Sequence, residues 1–195
     1  TGMNTIRSIA KSVAVIRKHK LPFALMHCTN IYPTPHHLVR LNCLEELKKS
    51  YPDAVVGLSD HTNSINTCLG AVSLGARILE KHFIDDRKKR TGPDISASMD
   101  ARELQELIKG SKEIFEALGY GKYPIKEEKK TIAFAFASVV STKEIQKGEI
   151  LSRKNIFLRR PGNGDFDVSD FTKILGKKAK FYIKQNVQIK KTYLK

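Results

Sequence analysis

The sequence predicts an α/β protein in which a parallel sheet unit is followed by a small, mostly β module. Apolar residues alternate between helical and extended spacing over the first 120 residues, which is typical of parallel α/β architecture. A polar, glycine- and lysine-rich stretch follows, and beyond it short segments rich in β-type residues are separated by turn formers. We therefore expect domains at residues 1–120 and 134–195, joined by a linker at 121–133.

Helices and strands alternate in the first unit, beginning and ending with a helix. Amphipathic spacing predicts the first helix over residues 5–19 and the second over 37–50. The apolar residues that share a face are Ile6, Ile9, Val13 and Ile16 in the first helix, behind the possible cap Asn4, and Leu38, Leu41, Leu44 and Leu47 in the second.

The remaining elements of the first unit are marked by their end signals. A third helix over 64–74 stops at Gly75, a residue type common just past helix ends. Asp100 and Glu103 form the D-x-x-E pattern of a capping box, which predicts a fourth helix ending near Gly119. Short apolar runs at 22–27, 54–58 and 77–82 predict three buried strands.

The second module, of about 60 residues, is predicted from short β-type segments and is near the size at which a core is marginal on its own. The segments are 136–140, 156–158, 181–183 and 187–189. Turns are expected at Lys147-Gly148 and at the Pro-Gly-Asn-Gly stretch of residues 161–164. A module of this size would gain stability from docking onto another surface.

Composition excludes several classes of protein. The 195 residues are 41% hydrophobic and 28% charged, without a low-complexity tract, which excludes a disordered or fibrous chain. No apolar run approaches the roughly 18 residues of a membrane span, no secretory signal opens the sequence, and three cysteines make no disulfide framework. We expect a cytoplasmic protein with no membrane partner. The net charge of +15 is scattered and no arginine–aromatic stripe appears, so a nucleic-acid partner is not expected.

Polar side chains recur at the carboxyl ends of the three predicted strands, where parallel α/β proteins bind ligands. His27, His61 and His82 occupy equivalent positions there. Two neutral imidazoles from adjacent strand ends can bind one divalent metal ion, and Asn30 and Ser59 can donate hydrogen bonds to an anionic group beside it. The alternative is that the histidines only satisfy local backbone groups at the strand ends.

Five motifs, in order along the chain, resemble the sialic acid synthase family. They are HCTNIYPTP (27–35), GLSDHT (57–62), LEKHF (79–83), GPD (92–94) and RRPGNGDF (159–166). The resemblance implies a TIM barrel followed by an antifreeze-like (SAF) domain, and condensation of phosphoenolpyruvate with N-acetylmannosamine or a related amino sugar. It also implies that this sequence holds the second half of the barrel, because TGMN at its start is similar to the end of the fifth strand. The glutamates and the lysine that the family uses for proton transfer and phosphate binding are then expected outside this sequence.

The resemblance assigns the strand-end residues to metal and phosphoenolpyruvate. It implies that His61 and His82 are catalytic and bind Mn²⁺ or Mg²⁺, and that Asn30 and Ser59 hold phosphoenolpyruvate. Glu80 is implied only as a residue that supports those in direct contact with the metal ion or the substrate.

The resemblance further implies four contacts to the amino sugar. Tyr32 and Asp94 are expected to contact its hydroxyl groups. Arg160 and Phe134 are expected to reach its N-acyl end from the second domain of the other subunit in a domain-swapped homodimer. A second function, of a different class, stays open at this point: a catalytically inactive, basic module that binds carbohydrate or nucleic acid.

Overall fold

Three short parallel strands form the sheet of the first of two units, Thr1–Tyr120 and Gly121–Lys195, in a computed structural model that describes residues 1–195. The strands are β1 (Ala24–Cys28), β2 (Val55–Asp60) and β3 (Ile78–Lys81), in the order β1-β2-β3. Helix α1 (Ile6–Lys18) precedes them, and α2 (Cys43–Ser50), α3 (Asn66–Ser73) and α4 (Ala101–Ala117) each follow one strand. The expected α/β class with sequential parallel strands, as in a segment of a TIM barrel, is confirmed.

One face of this sheet is buried and the other carries polar and exposed side chains. Leu25, Val56 and Leu58 alternate along β1 and β2 and are buried in a core shared with the helices. On the opposite face, a Cβ added at Gly57 would lie 2.6 Å from the carbonyl oxygen of Ile78, so this position accepts only glycine without a shift of the backbone. The alternation determines which strand residues face away from the core shared with the helices.

The helix ends agree with the sequence in two places and differ in two. Gly75 has φ +95° directly after α3, and Asp100 and Glu103 form the capping box of α4, as predicted. The N-cap of α1 is Thr5 and not Asn4, because the Thr5 hydroxyl accepts from the backbone N–H of Ser8.

The second predicted helix, over 37–50, is wrong in its first half. Arg40 adopts φ +55°, which a continuous α-helix does not allow, so α2 begins only at Cys43. Residues His36–Leu38 form a separate 3₁₀ turn, and Leu38 does not join the buried face. Leu44 and Leu47 carry that face instead.

The second unit has little regular structure around an aliphatic core. Strands β4 (Ser138–Ser141) and β5 (Ile156–Arg159) pair antiparallel, and α6 (Phe171–Ile174) packs on the core. The segments predicted as strands at 181–183 and 187–189 form only single bridges.

The stretch predicted as a linker is partly helical. A 3₁₀ turn at Lys126–Glu128 leads into α5 (Lys129–Ala135). The Glu128 carboxylate accepts from the backbone N–H of Ile125 and so starts the helical segment. Phe134 therefore lies on a helix and not at the beginning of a β segment. None of the helices of either unit combines the length and the apolar character that crossing a membrane requires.

Candidate active site at the carboxyl ends of the strands

Three aromatic rings meet just beyond the carboxyl ends of the strands. His61 follows β2, His82 follows β3, and Tyr32 lies in the loop after β1. The ring centroids of His61 and His82 are 5.2 Å apart, and that of Tyr32 lies 4.1 Å from His61 and 5.8 Å from His82. The structure thus brings together three of the site residues that the sequence singles out.

The imidazole of His61 is fixed in one tautomer by the backbone. Its Nδ1 lies 2.9 Å from the carbonyl oxygen of Thr29. A carbonyl only accepts, so the neutral ring carries its proton on Nδ1 and donates it there. The Nε2 lone pair is consequently available for an electrophile. His61 is buried, which limits the reorientation of its ring.

His82 is the more accessible of the two histidines. Its side chain is 34% exposed, and its Nδ1 lies 3.9 Å from a carboxylate oxygen of Asp94. Asp94 lies in the 3₁₀ turn Pro93–Ala97, which begins directly after Gly92, a glycine with φ +147°. The carboxylate therefore lies beside the histidine pair, with half of its side chain open to solvent.

Ser59 and Glu80 lie below the histidines on the same face. They are directly opposite each other in the β2–β3 register and line a cavity of about 150 Å³ together with Asp60, Lys81 and His82. Asn30 lies in the loop after β1, with its side chain against the backbone of Gly2, where an added Cβ would collide with it. Its side chain is exposed.

Arg160 and Phe134 belong to the second unit. Arg160 lines a cavity of about 450 Å³ with Arg159, Asn163, Asn186 and Gln188. The turn that follows Arg160 is held by the buried Ser138, whose hydroxyl donates to the Pro161 carbonyl and accepts from the N–H of Gly164, both at 2.8 Å. Its Gly162 N–H donates to the Ala133 carbonyl at the end of α5, which places the turn beside the helix that carries Phe134.

His27 does not belong with the other two histidines. It lies within β1 on the buried face, and its Nε2 is 2.7 Å from the Val39 carbonyl. Burial lowers the pKa of His27, against the opposing effect of that hydrogen bond. The neutral ring donates from Nε2 and satisfies a backbone group. For this histidine the backbone-satisfying alternative is correct.

An ion pair that was not predicted from the sequence lies on the buried face of the strands. The Nζ of Lys81 lies 2.7 Å from Oδ2 of Asp60, and the two side chains are 2% and 1% exposed. Each of them directly precedes a histidine of the pair. Alternation along the predicted strands would have placed both residues in the core, where a charge needs a partner.

The donor set of the site consists of two imidazoles. No group of three or more histidine, cysteine, aspartate or glutamate side chains lies close enough to hold a metal ion. His61, however, has the arrangement common to metal-bound histidines, with the second ring nitrogen donating to a carbonyl. The residues thus fit an ion with two protein ligands from this chain and open positions for other ligands.

Comparison with known proteins matches two parts of the chain to two families. Residues 1–123 match the NeuB family, and residues 136–194 match the SAF domain. The chain is 39% identical to N,N'-diacetyllegionaminic acid synthase of Campylobacter jejuni over 183 residues, which cover 92% of the chain and 54% of that protein. It is 34% identical to a pseudaminic acid synthase of the same species, covering 92% of the chain and 52% of that protein.

A solved structure shows the same fold at comparable identity. The N-acetylneuraminic acid (sialic acid) synthetase of Leptospira borgpetersenii, in complex with citrate, is 35% identical. It superimposes with a TM-score of 0.62 over 67% of this chain and 46% of that one. The chain spans about half the length of the curated relatives it matches.

Proposed function

This chain belongs to the NeuB family and carries a SAF domain, and from that premise we propose that it supplies the metal- and sugar-binding part of a nonulosonic acid synthase. The reaction joins C3 of phosphoenolpyruvate to the aldehyde carbon of an open-chain amino sugar. Water adds at C2, and phosphate leaves with cleavage of its carbon–oxygen bond. The sugar is N-acetylmannosamine or a related acetamido sugar, which is supported by the N-acetylated acids after which the relatives are named.

The observation that carries this proposal is the histidine pair. The rings of His61 and His82 lie 5.2 Å apart, and the Thr29 carbonyl keeps the proton of His61 away from Nε2. A pair of neutral imidazoles with one ring locked in its tautomer is suited to binding a divalent ion.

His61 and His82 would hold a Mn²⁺ or Mg²⁺ ion. When bound, such an ion supplies a Lewis acid for the aldehyde oxygen of the sugar. The two imidazoles leave the remaining coordination positions to water and substrate, which is the requirement of a catalytic site.

Neutral and acidic side chains around the pair have separate roles. Ser59 and Asn30 would donate hydrogen bonds to phosphoenolpyruvate, whose phosphate and carboxylate oxygens only accept. Asp94 would accept from a sugar hydroxyl, and the Tyr32 hydroxyl would bind the same substrate. Asp94 and Tyr32 both lie against the histidine pair, where the aldehyde end of the sugar would be.

The second unit would supply Arg160 and Phe134 to the N-acyl end of the sugar. In a domain-swapped homodimer these residues would serve the site of the other subunit. The Ser138 hydrogen bonds and the Gly162 contact with α5 hold the turn after Arg160, so the backbone from which that arginine extends would be in place before substrate binds.

Phosphate release tests the proposal in the enzyme that contains this chain. With phosphoenolpyruvate, Mn²⁺ and either N-acetylmannosamine or a diacetamido analogue, we expect release that EDTA stops. His61→Ala should abolish it, whereas His19→Ala, at the exposed end of α1, should not. Unchanged release by His61→Ala would contradict the metal assignment. Absence of release with every sugar, together with saturable sugar binding, would favour the binding-module alternative.

A further inference from the structure

The buried ion pair between Asp60 and Lys81 lies directly behind the histidine pair. Asp60 and Lys81 are opposite each other at the last position of the β2–β3 register. The next residue on each strand is His61 or His82. Because side chains alternate along a strand, the ion pair points into the core while the imidazoles point to the opposite side.

Lys81 contacts the chain on both sides of His61. Its Nζ donates to Oδ2 of Asp60 at 2.7 Å and to the carbonyl oxygen of Thr62 at 2.6 Å. The ammonium group of Lys81 therefore binds both residues that flank His61, and Lys81 is itself the residue before His82.

Thr62 extends this network toward α3. The fully buried Thr62 hydroxyl donates to Asp60 Oδ2 at 2.8 Å and lies 3.1 Å from the hydroxyl of Thr67, a residue of α3. The second carboxylate oxygen, Oδ1, has no hydrogen-bond partner. The Cys68 thiol beside the carboxylate stays protonated, because burial, with a further contribution from Asp60, raises its pKa to about 12. The carboxylate is thus committed to Lys81 and Thr62.

A buried charge pair of this kind fixes the register of two strands. A shift of one residue would place Lys81 opposite Ser59 or His61, turn one of the two charges to the other face of the sheet and leave the remaining charge buried without a partner. The same shift would turn one histidine away from the other. The aligned register is therefore the one in which both charges are paired and both imidazoles face the same side.

We propose that Asp60 and Lys81 are positioning residues that set the spacing of His61 and His82 for a shared divalent ion. The pair acts through the backbone, since both side chains are buried and neither hydrogen-bonds to an imidazole. This inference rests on the proposed function, because the proposed function is what assigns a divalent ion to the histidine pair.

The test uses Co²⁺ as a spectroscopic probe in the enzyme that contains this chain. The variant Asp60→Asn/Lys81→Met removes both charges at similar volume, which avoids a buried unpaired charge. We expect this variant to fold and to bind Co²⁺ about tenfold to hundredfold more weakly, which is typical of mutations in residues that support metal ligands. Titration of the visible absorption bands of Co²⁺ measures this affinity. The matched control Asp53→Asn/Arg17→Met removes a half-exposed ion pair of the same unit and should leave Co²⁺ binding unchanged.

A crystal structure of the metal-free double variant supplies a readout independent of the ion. We expect the separation of the two imidazole centroids to depart from 5.2 Å or the His61–Thr29 hydrogen bond to be lost. Unchanged ring geometry and unchanged Co²⁺ affinity would overturn the inference.

The outcomes separate the inference from the proposed function. Wild-type enzyme that bound no Co²⁺ would contradict the proposed metal site. The comparison of the His61 and His82 ring positions between wild type and double variant would still test whether the ion pair positions the two histidines. If the double variant did not fold, Thr62→Val would replace it, because it removes one donor to Asp60 and retains the Thr62 carbonyl. It should weaken Co²⁺ binding by a smaller factor, and full affinity would contradict the inference.

Discussion

Tyr32 has two separable roles in the proposed site, and two substitutions distinguish them. Its ring contacts both imidazoles, whereas its hydroxyl is available to substrate. Tyr32→Phe removes only the hydroxyl. Tyr32→Leu removes the aromatic contacts as well.

The structure gives the size of each effect. An aromatic pair contributes about 0.5–1.5 kcal/mol, and Tyr32 makes two such contacts while 42% exposed, so we expect Tyr32→Leu to lower stability by about 1–2 kcal/mol. Loss of one hydrogen bond costs about 0.5–1.5 kcal/mol, which is roughly a twofold to tenfold decrease in kcat/KM for the sugar. Tyr32→Phe should show only this second effect.

Three measurements on the enzyme that contains this chain decide the matter: urea unfolding, Co²⁺ titration, and kcat/KM for the sugar. Tyr32→Phe should retain stability and Co²⁺ affinity, and Tyr32→Leu should lose part of both, because His61 then lacks its neighbouring ring. Tyr123→Phe, at an exposed position, is the control. Equal loss of Co²⁺ affinity in both Tyr32 variants would refute the assignment of the ring to the support of His61.

Two further predictions concern other parts of the site. Burial lowers the folded-state pKa of His27 below 6.5, so its contribution to stability is present above that pH and is lost as the pH falls toward the lower folded value. His27→Gln should therefore reduce the change of the urea unfolding midpoint with pH between about pH 7 and pH 5. A pH dependence equal to that of the wild type would contradict the assignment of this change to His27. Ser138→Ala leaves the N–H of Gly164 without a partner and removes one of the two donors to the Pro161 carbonyl, the other being Gln188, and should cost about 1–3 kcal/mol. It should also raise KM for the sugar more than KM for phosphoenolpyruvate, and equal increases would contradict a role of that turn in sugar binding.

The histidine pair could be predicted because strand ends follow from local patterns. Parallel strands of similar length bring their carboxyl ends to one edge, so residues just past two apolar runs lie close together. His61 and His82 follow that rule. His27 does not, because β1 extends one residue past it, to Cys28, and alternation turns its side chain to the buried face.

Other features depend on contacts that a local pattern does not contain. The first half of the predicted second helix fails because Arg40 takes a left-handed conformation, which arginine gives no sign of in sequence. Asp60 and Lys81 were not predicted as a buried pair because charged residues in a strand ordinarily indicate a solvent-facing position, although strand alternation places both in the core. Only the pairing of β2 with β3 shows that the two charges neutralise each other.

The sparse secondary structure of the second unit has a kinetic consequence. Its segments are joined by backbone hydrogen bonds between residues far apart in sequence, such as the reciprocal pair of Ile145 and Ile183 and the bonds from Ser141 to Val187 and from Ile189 to Val139. Long loops must close before these bonds form, and chains dominated by such contacts fold more slowly than helical chains of equal size. We therefore expect the second unit to fold slowly for its length, with the arrangement of Arg160 completed only after its distant segments have met.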